Sequence, residues 1–150
     1  MITIREVLFK AKRTDNGKWI EGSLIRGVFV RCADNQDIPY ILNIDDIECD
    51  YDNFGDLTDG FGYYEVNPDT ICQFTGLIDK NGNKIFENDI VGRYSEYQEK
   101  YYCGQVGYGE FNCSCCNGVY GWYFGEEDIR DYQCYEVLGN IFDNPELLEK

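Results

Sequence analysis

The sequence contains no histidine and few basic side chains, with 13 Lys and Arg against 28 Asp and Glu. Without histidine there can be no Ser-His-Asp triad, Cys-His dyad or His-ligated metal. Affinity for nucleic acid comes largely from neutralising phosphates, so a net charge of −15 makes nucleic acid and anionic membranes poor partners for the whole chain. No apolar run approaches the roughly 18 residues of a spanning helix, and the N-terminus has no signal-peptide core. We therefore expect a cytoplasmic protein with no membrane partner.

Apolar residues are nevertheless plentiful, at 43% of 150 residues, and aromatic residues make up 16%. This is enough for a packed core in one domain, or in two very small ones. The acidic excess should therefore lie on the surface of a folded protein.

The acidic residues are concentrated in one part of the chain. Residues 32–79 contain twelve acids and no base, whereas residues 1–31 carry a net charge of +4. The simplest interpretation is a solubilising surface, and the alternative is a surface that docks a basic partner or mimics nucleic acid. The candidate residues for such a partner surface are Asp45, Asp46, Glu48, Asp50 and Asp52.

The pattern of the chain predicts an all-β protein. Short alternating or β-branched runs are separated by turn signals such as Asp15-Asn16-Gly17 and Asn81-Gly82. In the first run we expect Ile4, Val7 and Phe9 to be buried. A short helical turn with Pro145 at its first position should close the chain. The predicted strands span residues 3–11, 19–25, 27–31, 40–44, 70–77, 84–86, 89–93, 105–111, 120–124 and 134–141.

The eight cysteines raise the question of a metal site. Cys113 and Cys116, together with Cys103 and Cys134, could form a Cys₄ zinc site, but only the first two have the CxxC spacing. We therefore predict free thiols and no metal or cofactor. A cysteine nucleophile needs a nearby base or cation to lower its pKa. Lys100 is the only base between Arg93 and Arg130, so we expect no cysteine nucleophile in this part of the chain.

Aromatic residues crowd the C-terminal half of the chain. A small β-domain cannot bury them all, and exposed Tyr and Trp are typical of protein interfaces. Core packing and a self-association or partner surface remain alternative interpretations of this group, which comprises Tyr94, Tyr97, Tyr101, Tyr102, Tyr108, Tyr120, Trp122 and Tyr123.

Three segments resemble the YopX family, whose members are small proteins encoded by bacteriophages and prophages. The block QFTGLIDKNGNKIFENDIV at residues 73–91 resembles the family signature, with Asn88 where the family usually has Gly. The segments EVLGNIFDNPELL at 136–148 and REVLFKA at 5–11 resemble the family's closing and opening motifs. The resemblance implies an all-β protein with an N-terminal β-region at 1–69 and an SH3-like barrel at 70–150. It implies no particular biochemical activity.

The residues that carry the resemblance have a simple structural interpretation. Asn88 should adopt a left-handed conformation, and Asp89 should accept hydrogen bonds from nearby backbone N–H groups. Asn144 should cap the final helical turn. We expect structural roles for the whole set: Gln73, Thr75, Gly76, Asp79, Asn81, Gly82, Asp89, Gly139, Asn140, Asn144 and Pro145.

These observations favour a non-enzymatic phage or prophage accessory protein. It would act through contacts with itself or with a host protein, and a homo-oligomer is expected. The alternative is an acidic nucleic-acid mimic that binds a host DNA- or RNA-binding protein. A third hypothesis, direct nucleic-acid binding, would have to use one basic group: Lys10, Lys12, Arg13, Lys18, Arg26 and Arg31.

Overall fold

The computed structural model describes residues 6–26, 38–43, 45, 62–113, 116–125, 127–128 and 134–149. This part of the chain is all-β, with two antiparallel sheets and only short 3₁₀ helices. It separates into two compact units, Met1–Gln73 and Phe74–Lys150. The strands are β1 (Phe9–Lys12), β2 (Trp19–Ile25), β3 (Tyr40–Leu42), β4 (Tyr63–Glu65), β5 (Cys72–Ile78), β6 (Lys84–Phe86), β7 (Asp89–Ser95), β8 (Lys100–Cys113), β9 (Cys116–Phe124), β10 (Glu127–Asp128) and β11 (Glu136–Asn140).

The first unit is an antiparallel sheet in which β1, β2, β3 and β4 are successive neighbours and the start of β5 pairs with β1. The predicted turn between β1 and β2 forms as expected, with Gly17 at φ +69°. Asn16 supports this turn, because its side chain accepts a hydrogen bond from the Lys18 N–H at 2.9 Å. The core of the unit consists of Ala11, Ile20, Ile41 and Val66.

The second unit contains the rest of β5, its hairpin partner β6, and a sheet in the order β10-β9-β8-β7-β11. Both parts contribute to one core. Ile85 of β6 packs with Val91 of β7, Val106 of β8, Phe124 of β9 and Tyr135, all of them buried. The rings of Phe124 and Tyr135 lie 4.8 Å apart between centroids.

Two backbone positions explain features of the β5–β7 motif. Asn88 has φ +66°, so the predicted left-handed conformation is confirmed, and its side chain accepts a hydrogen bond from Gln105 Nε2 at 2.9 Å. Gly76 has φ +84° inside β5, where the register with β6 shifts. A glycine relieves the strain that a side chain would suffer at this irregularity.

Several detailed expectations were wrong. Val7 is 61% exposed because β1 begins only at Phe9, so the buried alternation does not extend back to it. The Asn144 side chain makes no capping hydrogen bond to the closing 3₁₀ helix Pro145–Leu148. Its Oδ1 instead accepts from the backbone N–H of Asn140 at 3.4 Å. The predicted strand at 27–31 lies outside the described residues, as does Ile4.

The sheet of the second unit also differs from the prediction in extent. β8 begins five residues earlier than expected and β9 begins four residues earlier, so the two strands form a long hairpin. The short strand β4 was not predicted.

The all-β class is confirmed, whereas the described strands show no closed barrel. Within the described residues no helix is long and apolar enough to cross a membrane.

Candidate interaction surface

The hairpin of β8 and β9 extends beyond the rest of its sheet. β8 pairs with β7 only from Lys100 to Gln105, and with β9 from Val106 to Cys113. The pairing of β7 with β8 ends at the Asn88 turn. There the Asn88 N–H donates to the Val106 carbonyl at 2.9 Å, and the chain leads away from β8. The part of the hairpin beyond Val106 is called the ribbon below, comprising residues 107–113 and 116–123.

One face of the ribbon is aromatic and exposed. Cross-strand partners project to the same face, so Tyr108 lies beside Trp122, and Glu110 beside Tyr120. The Tyr108 and Trp122 rings meet edge to face with centroids 5.0 Å apart. Trp122 packs against the core, whereas Tyr108 is 57% exposed and Tyr120 is 67% exposed. The core face of the sheet therefore continues into solvent as an aromatic surface.

The opposite face places tyrosine rings over glycines. The Tyr123 ring covers Gly107, where an added Cβ would lie 2.6 Å from the ring, and also contacts the Gly109 position at 3.6 Å. Tyr101 covers Gly92 of β7 in the same way. The predicted aromatic group is thus divided between the core and two opposite faces.

Tyr101 also belongs to a polar cluster at the edge of the sheet. Its hydroxyl donates to Glu136 Oε1 at 3.0 Å, and Lys80 Nζ lies 3.1 Å from Glu136 Oε2. Burial and the hydrogen bond to Glu136 raise the pKa of Tyr101 to about 12. Hydrogen bonds from Lys80 and Tyr101 hold the pKa of Glu136 below its usual value. The cluster is therefore an ion pair with a neutral tyrosine at pH 7.

Asp79 joins the β5–β6 turn to β11. Its Oδ1 accepts the backbone N–H groups of Asn81 at 2.9 Å and Asn83 at 2.8 Å, and its Oδ2 accepts that of Val137 at 2.9 Å. Burial raises the pKa of the Asp79 carboxyl, but the hydrogen bonds from Val137, Asn83 and Asn81 outweigh it, so the pKa lies below the usual value.

Other motif residues make comparable local bonds. The Thr75 hydroxyl donates to the Ile85 carbonyl at 2.7 Å, and Asp89 Oδ2 accepts the Phe86 N–H at 2.8 Å as predicted. Asn140 Oδ1 accepts the N–H groups of Phe142 and Asp143. Gly139 lies so close to Asn144 that an added Cβ would meet its Oδ1 at 2.2 Å. These contacts hold the backbone locally, and a structural role for the motif as a whole stays a prediction.

Two sets of predicted residues fall largely outside the described part of the chain. Of the acidic candidates only Asp45 is described, and it is exposed, with its N–H bonded to Asn43 Oδ1. Cys103 and Cys134 are both exposed, and the Cys103 thiol donates to the Leu147 carbonyl at 3.6 Å. The side chains of Cys113 and Cys116 are not described, and the residues that are described contain no cluster able to hold a metal ion. The acidic partner surface and the expectation of no metal site both stay predictions.

The basic residues of the first unit contact aromatic rings. Lys10 and Lys12 Nζ lie 5.0 and 5.5 Å from the Trp19 ring centroid, and the Arg13 guanidinium lies 4.0 Å from that of Tyr64. Arg13 Nε also donates to Asp15 Oδ1 at 2.9 Å, and this bond lowers the pKa of Asp15. Of these three cations Arg13 has an acidic partner, whereas the aromatic contacts leave the Lys charges in place. Direct nucleic-acid binding stays a prediction.

The sequence predicted most of the ribbon as strands, at 105–111 and 120–124, but did not show that these strands pair with each other and extend past the sheet. The signal that could have shown the pairing is Tyr123, whose ring covers Gly107 on the partner strand.

Comparison with known proteins places the chain in a family. The model of the family described as YopX protein matches residues 8–149. No curated protein matches the sequence. Among solved structures, the crystal structure of protein EF1440 from Enterococcus faecalis has a TM-score of 0.48 and 24% sequence identity, over 97% of this chain and 99% of that chain. Since the family model spans nearly all the residues, the chain belongs to the YopX family.

Proposed function

We propose that this YopX-family protein is a non-enzymatic accessory protein that acts through protein–protein contacts made by the ribbon. The observation that carries the proposal is the exposed aromatic face formed by Tyr108 and Tyr120, with the half-buried Trp122 beside Tyr108. Tyrosine and tryptophan provide large contact areas at a low cost in conformational entropy, and they are enriched at interfaces. Trp122 is anchored in the core, so a partner would meet a surface that is already partly ordered.

The polar clusters of the second unit support a structural role over acid–base catalysis. A general acid or base works best with a pKa near the ambient pH. The pKa of Tyr101 is raised to about 12, and the pKa values of Asp79 and Glu136 are lowered. All three groups therefore keep one protonation state near neutrality, which suits fixed hydrogen bonds.

The proposal includes two finer points from the sequence. Residues 70–150 form an SH3-like barrel, which is supported by the single core that β6 shares with β7, β8 and β9. The protein serves a phage or prophage, which is supported by the YopX family match, since the members of this family are small proteins encoded by bacteriophages and prophages.

Affinity purification from bacterial lysate with quantitative mass spectrometry tests the proposal. We expect the wild-type chain to retain a specific protein, a second copy of the chain included, and the Tyr108→Ala/Tyr120→Ala variant to lose at least nine-tenths of it. Neither side chain is buried, so the fold should persist and can be checked by circular dichroism.

Tyr97→Ala is the matched control, because Tyr97 is the most exposed aromatic side chain among the described residues and lies in the β7–β8 turn, away from the ribbon. Equal retention by all three proteins would contradict the proposal, as would the absence of any specific protein together with a monomeric state.

A further inference from the structure

Within the described residues, one edge of the ribbon has no strand partner. Beyond Val106 the described residues place no strand beside β8 on the side opposite β9. An open edge presents backbone N–H and C=O groups that can pair with another strand. Glu110 is the one charged residue of β8 on this stretch. The edge thus combines backbone groups that no described strand pairs with and little charge, in a chain whose net charge is −15.

The hydrogen bonds at the base of the ribbon show which groups point outward. The Val106 carbonyl accepts from Asn88 on the β7 side, whereas the Gln105 carbonyl accepts from Gly125 on the β9 side. Backbone groups alternate in direction along a strand, so the even-numbered residues Tyr108 and Glu110 direct their N–H and C=O groups toward the open edge.

These directions restrict how two copies of the edge could pair. Antiparallel pairing about a two-fold axis requires even residues opposite even residues, since those residues alone have free groups on this side. An axis at Gly109 sets Tyr108 of each copy opposite Glu110 of the other copy. An axis at Glu110 would instead set two carboxylates directly opposite each other, which is unfavourable.

We propose that the open edge of β8 pairs with the same edge of a second copy, antiparallel, about a two-fold axis at Gly109. The inference rests on the proposed function and names a second copy as the partner. In this register Tyr108 and Glu110 of opposite copies each exchange two N–H···O bonds, and each tyrosine faces a carboxylate. The strand is self-complementary, whereas an unrelated strand would have to supply matching polar groups.

Removal of one outward N–H group tests the pairing. Glu110→Pro deletes an N–H that points to the open edge and leaves the bonds to β9, which come from odd residues. Glu110→Gln is the matched control, because it keeps the N–H and removes only the charge. By sedimentation equilibrium we expect a concentration-dependent dimer for the wild type and for Glu110→Gln, and at least tenfold weaker dimerisation for Glu110→Pro.

A disulfide tests the register and does not depend on the proline variant folding. An added Cβ at Gly109 meets the Tyr123 ring at an ordinary 3.6 Å, so Gly109→Cys should be accommodated. Opposed residues that do not exchange hydrogen bonds have Cα atoms about 4.5 Å apart, within disulfide range. Oxidation of the Gly109→Cys variant should give a covalent dimer whose peptide map joins the substituted position of one copy to that of the other. The wild type cannot form this link.

The outcomes separate this inference from the proposed function. A wild-type chain that stays monomeric, a Glu110→Pro variant that dimerises like the wild type, or the absence of the disulfide from the oxidised Gly109→Cys variant would each overturn the paired edge. If a different protein still binds the wild type and is lost on replacement of Tyr108 and Tyr120, the proposed function stands while this inference fails.

Discussion

Asp79 shows how much of the second unit depends on a single carboxylate. Its three backbone hydrogen bonds tie a turn to a strand that lies 58 residues further along the chain. We expect Asp79→Ala to lower the free energy of unfolding by about 3 kcal/mol, because the substitution leaves N–H groups without their charged acceptor. Urea unfolding followed by fluorescence measures the loss.

Asp79→Asn is the control for this prediction, because it keeps one acceptor oxygen and the shape of the side chain. We expect it to lose about half as much stability as the alanine variant. If both variants were as stable as the wild type, the carboxylate would not hold the turn against β11.

The sequence predicted the local part of this arrangement and missed the distant part. Asn81 and Gly82 mark a turn by their chemistry alone, and Gly82 does have φ +85°. The bond from Val137 could not be predicted, since no local pattern shows which strand will lie beside a turn. The capping role predicted for Asn144 was wrong for a local reason, because its Oδ1 accepts from the N–H of Asn140, four residues earlier.

At the level of elements, the spacing between β2 and β3 depends on Gly22. A Cβ at this position would lie 2.0 Å from the Leu42 carbonyl oxygen and 2.9 Å from Ile41 Cγ2. The closest obstacle is backbone, so rotation of a side chain cannot relieve it. We expect Gly22→Ala to lower the free energy of unfolding by about 3 kcal/mol, measured by urea unfolding.

Gly109→Ala provides the comparison, because it is also a strand glycine but its new Cβ meets only the Tyr123 ring at 3.6 Å. Its stability should stay within about 1 kcal/mol of the wild type. Equal losses in the two variants would mean that the cost reflects alanine in a strand and not the approach of β3.

The strands that the sequence predicted well are those with a continuous apolar run. Ile90 and Val91 of β7 are neighbours that point to opposite faces of the strand, and both are buried, so the apolar run itself marked the strand. The start of β8 was missed because Tyr101, Tyr102 and Gly104 show no alternation of apolar and polar residues. Each is explained only by its neighbours: Tyr101 covers Gly92, and Gly104 makes room for Phe124. Tertiary contacts decided these positions.

For the whole molecule, the absence of histidine determines the response to pH. Histidine is the one side chain whose unperturbed pKa lies between pH 5 and 8. An unperturbed carboxyl group has a pKa near 4 and is almost fully ionised above pH 5.5. The net charge, and with it the repulsion among acidic residues, should therefore change little between pH 5.5 and 7.5.

We predict that the free energy of unfolding varies by less than about 1 kcal/mol between pH 5.5 and 7.5, and decreases below pH 4. The pKa values of Asp79, Glu136 and Asp15 are lowered in the folded protein. Such groups contribute stability that is complete above their unfolded pKa, about 4, and is lost as the pH falls through the folded value. Urea unfolding of dilute protein across pH 2.5–7.5 measures the profile. The decrease in the free energy of unfolding should be smaller for Asp79→Ala, because this variant has already lost one of these carboxylates. A decrease of equal size would show that Asp79 contributes nothing to the acid response.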